Sequence, residues 1–126
     1  MAYIFFNPNP GSKSVSDCTV RAICAAEGVP WEVAYDELCA TGRYVYAMPD
    51  SSIVFKAYLQ SIGYVCHALP NTCPICYTIS DFCKDHPKGI YILCSGEHVV
   101  TVINGNYYDN GNSGDEVPLY FYKKEK

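Results

Sequence analysis

The spacing of apolar positions changes along the chain, from helical near the start to alternating near the end. A short apolar piece at residues 2–6 runs into Asn7-Pro8-Asn9-Pro10-Gly11-Ser12, where prolines and glycine resist regular structure, so an edge strand followed by a turn is expected. Ser14-Val15-Ser16-Asp17-Cys18-Thr19-Val20-Arg21-Ala22-Ile23-Cys24-Ala25-Ala26-Glu27-Gly28 predicts a first helix, with Ser16 or Asp17 as N-cap and Gly28 as the stop. Trp31, Ala34, Tyr35, Leu38 and Cys39 fall on one buried stripe of a second helix, which Gly42 is expected to end. Phe55, Tyr58, Leu59 and Ile62 share a face of a third helix over 52–62, closed by Gly63. Residues 78–87 predict a short fourth helix, capped by Thr78 or Ser80 and terminated by Pro87.

Strands occupy the remainder. Tyr64-Val65-Cys66-His67-Ala68-Leu69 comes first, and the C-terminal third then supplies segments at 89–94, 98–103, 106–109 and 119–122, all rich in β-branched and aromatic residues. Asn104-Gly105 suits a type I′ turn, in which both central residues need positive φ. A two-residue loop sets Val100 opposite Asp109 and Gly111 opposite His98. Helices followed by an antiparallel sheet make an α+β chain, expected to form one domain over 1–126 with a frayed tail at 123–126.

Composition narrows the partners. A chain of 126 residues hides roughly two-thirds of its unfolded surface, so it can build a core without metals or disulfides. Nine basic against 13 acidic residues give a net charge of −4, which argues against binding a nucleic-acid backbone. No apolar run reaches the roughly 18 residues of a membrane span, and the N-terminal residues lack a signal-peptide pattern. A soluble, cytoplasmic protein without membrane or nucleic-acid partners is expected, and its eight cysteines read as thiols, mostly small buried groups. The 12 tyrosines serve equally as core filler with a wet hydroxyl or as a contact surface.

Cys18 stands out among the thiols. In the first turn of a helix it meets unpaired backbone N–H groups and the positive end of the dipole, which favour thiolate and lower its pKa. Arg21, one turn on, either adds to that field or lies in solvent. A nucleophilic thiol also needs a base and a group to orient it. Of three histidines, His67 sits mid-strand and His86 precedes a proline, whereas His98 opens a strand after the small Ser95-Gly96-Glu97 bend. In the hairpin register above, Asp109 lies diagonally from His98, roughly 7–8 Å away at the backbone and within reach of the imidazole N–H. A loop one residue longer would present Asn110 instead.

Asn7-Pro8-Asn9, then Asp17-Cys18-Thr19-Val20-Arg21-Ala22-Ile23, then His86-Pro87-Lys88-Gly89-Ile90-Tyr91, then Gly96-Glu97-His98-Val99-Val100-Thr101-Val102 and Tyr107-Tyr108-Asp109 together resemble a group of small papain-like cysteine peptidase-fold proteins of bacteria and their phages. The resemblance implies N-terminal helices packed on the sheet, with Cys18 as nucleophile, His98 as base then acid, and Asp109 as orienter. It implies a cysteine peptidase or amidase that cleaves a peptide, isopeptide or related amide bond through a Cys18 thioester, acts on a peptide or protein substrate, and needs no cofactor. Two positions depart from the pattern. The only glutamine is Gln60, far downstream of the cysteine, which leaves the oxyanion to the Cys18 N–H and a second donor from Asn7 or Asn9. Asn110-Gly111-Asn112-Ser113-Gly114 lacks the tryptophan of the related proteins, so water is expected to reach the His98–Asp109 pair more readily.

Two other readings stand beside this one. A papain-like scaffold without catalysis would bind a peptide or small molecule through its tyrosines and sheet. Alternatively, Cys73-x-x-Cys76 followed by Cys83-x-x-His86 offers four ligands for structural zinc, although Pro74 gives the first pair the look of an ordinary turn. A Cys73–Cys76 redox pair has less behind it, because no thioredoxin-type strand–turn–helix surrounds it.

Overall fold

Six strands, in the order β1-β5-β4-β3-β6-β2, form a single sheet in a computed structural model that describes residues 2–70, 72 and 74–125. The elements follow one another as β1 (Ala2–Phe5), α1 (Cys18–Glu27), α2 (Trp31–Val45), α3 (Ser52–Ser61), β2 (Tyr64–Ala68), α4 (Ile79–Asp85), β3 (Ile90–Cys94), β4 (Val99–Ile103), β5 (Asn106–Asp109) and β6 (Tyr120–Lys124). The α+β class is as expected, with the helices largely N-terminal. The sheet, however, is mixed: β1 joins it parallel to β5, with Phe5 opposite Asp109, while the other pairings are antiparallel. The apolar piece at the N-terminus is therefore an edge strand that crosses to the far end of the sheet.

Alternation along the strands feeds two cores. Ile92 and Cys94 of β3 join Ile23, Val54, Phe55 and Leu59 beneath α1–α3. Tyr91 and Leu93, the intervening residues, join Phe82, Val100, Val102 and Tyr107 under α4. Thr101 of β4 is fully buried, and its hydroxyl donates to the Ala22 carbonyl at 2.7 Å, which ties α1 to the middle of the sheet. The β4–β5 hairpin turns at Asn104 and Gly105 with φ of 50° and 79°, pairing Ile103 with Asn106 and Thr101 with Tyr108. The two-residue loop and its register are those expected.

Most element ends shift by a residue or two from the sequence reading, and two differences have a structural reason. Helix α2 runs past Gly42 to Val45 and stops at Tyr46, which takes the left-handed conformation. Gly42 is needed for space instead, since a Cβ there would come 2.7 Å from the Ala47 carbonyl oxygen where the chain folds back over the helix. Lys123 and Lys124 are not frayed: they pair with Val65 and Tyr64, and the Lys124 ammonium meets Glu27 at 3.0 Å. Lys126 lies outside the described residues. Among the described residues, no helix is long and apolar enough to cross a membrane.

Candidate active site

Cys18 is the first residue of α1, half-buried at the helix N-terminus. The preceding Asp17 occupies the N-cap position yet caps nothing with its side chain. Its carboxylate is drawn sideways, accepting from Arg21 Nη1 at 2.7 Å and from Trp31 Nε1 at 2.9 Å. The first-turn N–H groups consequently lack the side-chain acceptor that an aspartate here would ordinarily provide, and Cys18 sits at the positive end of the helix.

His98 stands between Cys18 and Asp109. Its Nε2 lies 2.5 Å from Asp109 Oδ2, the diagonal pair anticipated from the hairpin register. Its ring also interacts with the Cys18 thiol, and because Nε2 is taken, Nδ1 is the nitrogen left for sulfur. The hydrogen bond to Asp109, followed by that to Cys18, outweighs burial and raises the His98 pKa to about 10. For Cys18, burial pushes the thiol pKa up, but the His98 hydrogen bond, a backbone hydrogen bond from Val99 and the charges of His98 and Arg21 together bring it below its ordinary value. Cys24 and Cys83 go the other way, raised by burial to about 11, and burial raises Cys94 to about 12. They behave as buried apolar groups, whereas the Cys18 pKa moves the opposite way.

Asp109 is 1% exposed. Burial raises its pKa, but hydrogen bonds from His98, Ser113 and the Asn110 backbone, with the charge of His98, outweigh that and hold it below the usual value. Ser113 Oγ donates to Oδ2 at 2.7 Å and the Asn110 N–H to Oδ1 at 2.8 Å. Arg21, itself buried, places Nη2 3.2 Å from Oδ1. The absent tryptophan thus does not open this carboxylate to water, because the 110–114 loop and Arg21 cover it. Arg21 does not lie in solvent: it bridges Asp17, the residue before Cys18, to Asp109. An aspartate and an arginine four residues apart, with the arginine on the buried stripe of α1, was the available signal, since a buried cation must be paired. Nothing in the sequence marked Ser113.

The remaining candidates have other partners. Asn7 Nδ2 donates to the Lys13 carbonyl at 3.1 Å, while Asn9 Oδ1 accepts from the Gly11 and Lys13 N–H groups, so both side chains close the 7–13 loop. His67 pairs with Glu125 at 2.8 Å. The His86 ring stacks on Phe82 at 3.8 Å, with Nδ1 2.9 Å from the Phe82 carbonyl oxygen. Cys83 packs in the core under α4, Cys76 is exposed, and Cys73 lies outside the described residues, as does its proposed pairing with Cys76. Among the described residues, no three His, Cys, Asp or Glu side chains converge as metal ligands.

A cleft of about 280 Å³ opens beside the sulfur, lined by Cys18, Asp50, Ser52, Gly96, Glu97 and Tyr120 among others. Comparison with protein-family models, with curated proteins and with solved structures finds no match to this chain.

Proposed function

We propose that the chain is a papain-like cysteine hydrolase that cleaves a peptide, isopeptide or related amide bond. The observation that carries this reading is one imidazole that is hydrogen-bonded to a buried carboxylate and interacts with a helix-N-terminal thiol. The chain order of nucleophile, base and orienter agrees with it. The thiolate of Cys18 attacks the carbonyl carbon, and the π pair moves onto oxygen, toward the Cys18 N–H at the bare end of α1. Collapse of that intermediate breaks the C–N bond, and the amine departs with the proton from His98 Nδ1, leaving a thioester. Water then gives its proton to His98 and attacks the thioester. A second collapse breaks the C–S bond, releases the acid and restores the thiolate–imidazolium pair. Asp109 keeps its hold on Nε2 throughout, which fixes the ring and favours its charged form.

The test combines turnover with labelling. Cys18→Ala should abolish hydrolysis of a fluorogenic peptide-amide library while the circular dichroism spectrum is unchanged. Iodoacetamide near neutral pH should modify Cys18 far faster than exposed Cys66. Hydrolysis that survives Cys18→Ala rules out this mechanism, and slow, uniform labelling favours a catalytically silent binding scaffold.

A further inference from the structure

Tyr35 belongs to the apolar stripe of α2, yet it is 45% exposed, while Ala34 and Leu38 on the same stripe are buried. Its ring stacks on Trp31, with centroids 4.9 Å apart and planes within 13°. Trp31 is in turn pinned by its hydrogen bond to Asp17, the residue before the candidate nucleophile. These two rings wall a second cavity of about 270 Å³, otherwise bounded mainly by Val15, Val20, Leu38 and Pro49. That is smaller than the roughly 300–1,000 Å³ of drug-sized ligand sites and suits a single side chain.

The cavity is not isolated. Thr19 and Asp50 line both it and the cleft beside Cys18. Both neighbours of Cys18 in the chain, Asp17 and Thr19, belong to its wall, so the cavity adjoins the turn that carries the sulfur. Asp17 is committed to Arg21 and Trp31 and has no carboxylate oxygen left without a partner. A charged group entering this space would lose its hydration against carbon. Asp50, in the wall common to both spaces, and Glu97, in the cleft, make that edge acidic, and among the described residues no lysine or arginine lines either space.

Resting on the proposed hydrolase reading, we infer that this cavity is the specificity pocket for the acyl side of the substrate. It takes one uncharged apolar side chain, of leucine to phenylalanine size, next to the reacting carbonyl, and the acidic edge excludes a carboxylate from the flanking position. The wall is rigid because the Asp17 carboxylate that receives Arg21 also holds Trp31. Recognition and nucleophile positioning therefore share one anchor.

Three chloroacetamides test this on the intact protein: chloroacetamide itself, its N-benzyl derivative and its N-carboxymethyl derivative. In each, a C–S bond forms at Cys18, the C–Cl bond breaks and chloride leaves. Rates at Cys18 are read by peptide mass spectrometry and divided by the rate of each probe with glutathione. The benzyl probe should be at least about tenfold faster than chloroacetamide and should saturate, and the carboxymethyl probe should be slower. Tyr35→Ser and Val15→Asp should remove the benzyl advantage, while Tyr35→Phe keeps it; both positions are half-exposed, so the fold tolerates the changes. Equal normalised rates for benzyl and plain probes, or an advantage untouched by Tyr35→Ser and Val15→Asp, would overturn the pocket. The ratio between probes reports the pocket, whereas the absolute rate against Cys66 reports activation of Cys18, so the two readings fail separately.

Discussion

Replacing Asp109 by Asn alters the charge that governs His98 while keeping the shape of the side chain. In the wild type the ring is raised from 6.5 to about 10, with the Asp109 hydrogen bond as the largest cause. At about 1.36 kcal/mol per pH unit this is a preference for imidazolium of about 4–5 kcal/mol, an upper bound because the ring is 27% exposed and partly screened. The carboxamide introduced by Asp109→Asn can still accept from Nε2 but carries no charge. The His98 pKa should therefore drop toward its ordinary value of about 6.5, held up by Cys18 and the charge of Glu116. Because the imidazolium is also one of the groups that lower the Cys18 pKa, the thiol pKa should rise.

Both limbs of the pH profile follow with defined signs. Thiolate–imidazolium exists from the lowered Cys18 pKa up to the raised His98 pKa, so wild-type activity should rise through the first and fall near about 10. In Asp109→Asn the upper limb moves down, the lower limb moves up and the plateau narrows. Turnover near pH 8 should fall by about 10²–10⁴, the range that positioned acid–base groups supply. The assay is kcat/KM against pH, paired with imidazole NMR of the titrating ring. Asp17 still holds Arg21 at 2.7 Å, so the variant should fold, which its melting curve checks. Superimposable pH profiles in folded wild type and variant would refute the coupling of Asp109 to His98.

Other expectations are independent of substrate. Arg21→Met strips the cation from two buried carboxylates, Asp17 and Asp109, and should cost about 3–5 kcal/mol in urea denaturation; a change under about 1 kcal/mol would show that the bridge does not form in solution. Gly42→Ala sets a Cβ 2.7 Å from a backbone oxygen, so it should destabilise by about 1–3 kcal/mol, where an unconstrained helical site would gain from alanine. In Cys18→Ser, which removes the opposing slope of the lowered thiol, the contribution of the His98 charge should be complete below about pH 6.5 and lost as pH rises through the folded-state value; urea midpoints that increase over that range would contradict the raised pKa.

Much of this site was legible because short-range rules govern its parts. A two-residue Asn104–Gly105 turn leaves one register, and that register brings His98 and Asp109 together without knowledge of the rest of the fold. Helix α1 begins at Cys18 because Asp17 and its neighbours are poor helix interior and good boundary residues. What could not be read depends on distant chain segments. The parallel addition of β1 beside β5 pairs residues over a hundred positions apart, and no local periodicity encodes it. Gly42 looked like a stop because glycine commonly follows a helix, but the return of the chain at Ala47 requires it inside α2. Tyr35 matched a buried stripe by spacing, and only the position of the 47–50 segment decides that this part of the stripe lines an open cavity.

The Asp17–Arg21–Asp109 bridge makes physical sense chiefly as a geometric device. Leaving α1 without its side-chain cap forgoes about 0.5–2 kcal/mol, and a buried ion pair seldom returns more than its desolvation costs. Stability alone therefore gives little reason to turn Asp17 away from the helix end. Two consequences compensate within the proposed mechanism. The uncapped N–H groups remain available to the thiolate and to a developing oxyanion. The planar guanidinium, with separate nitrogens on Asp17 and Asp109, fixes the distance between the turn that carries the nucleophile and the hairpin that carries its base. Since Trp31 hangs from the same Asp17, the side wall of the apolar cavity is referenced to that frame as well. A side chain seated there would be held at a set offset from the sulfur, which is what selection at the acyl position requires.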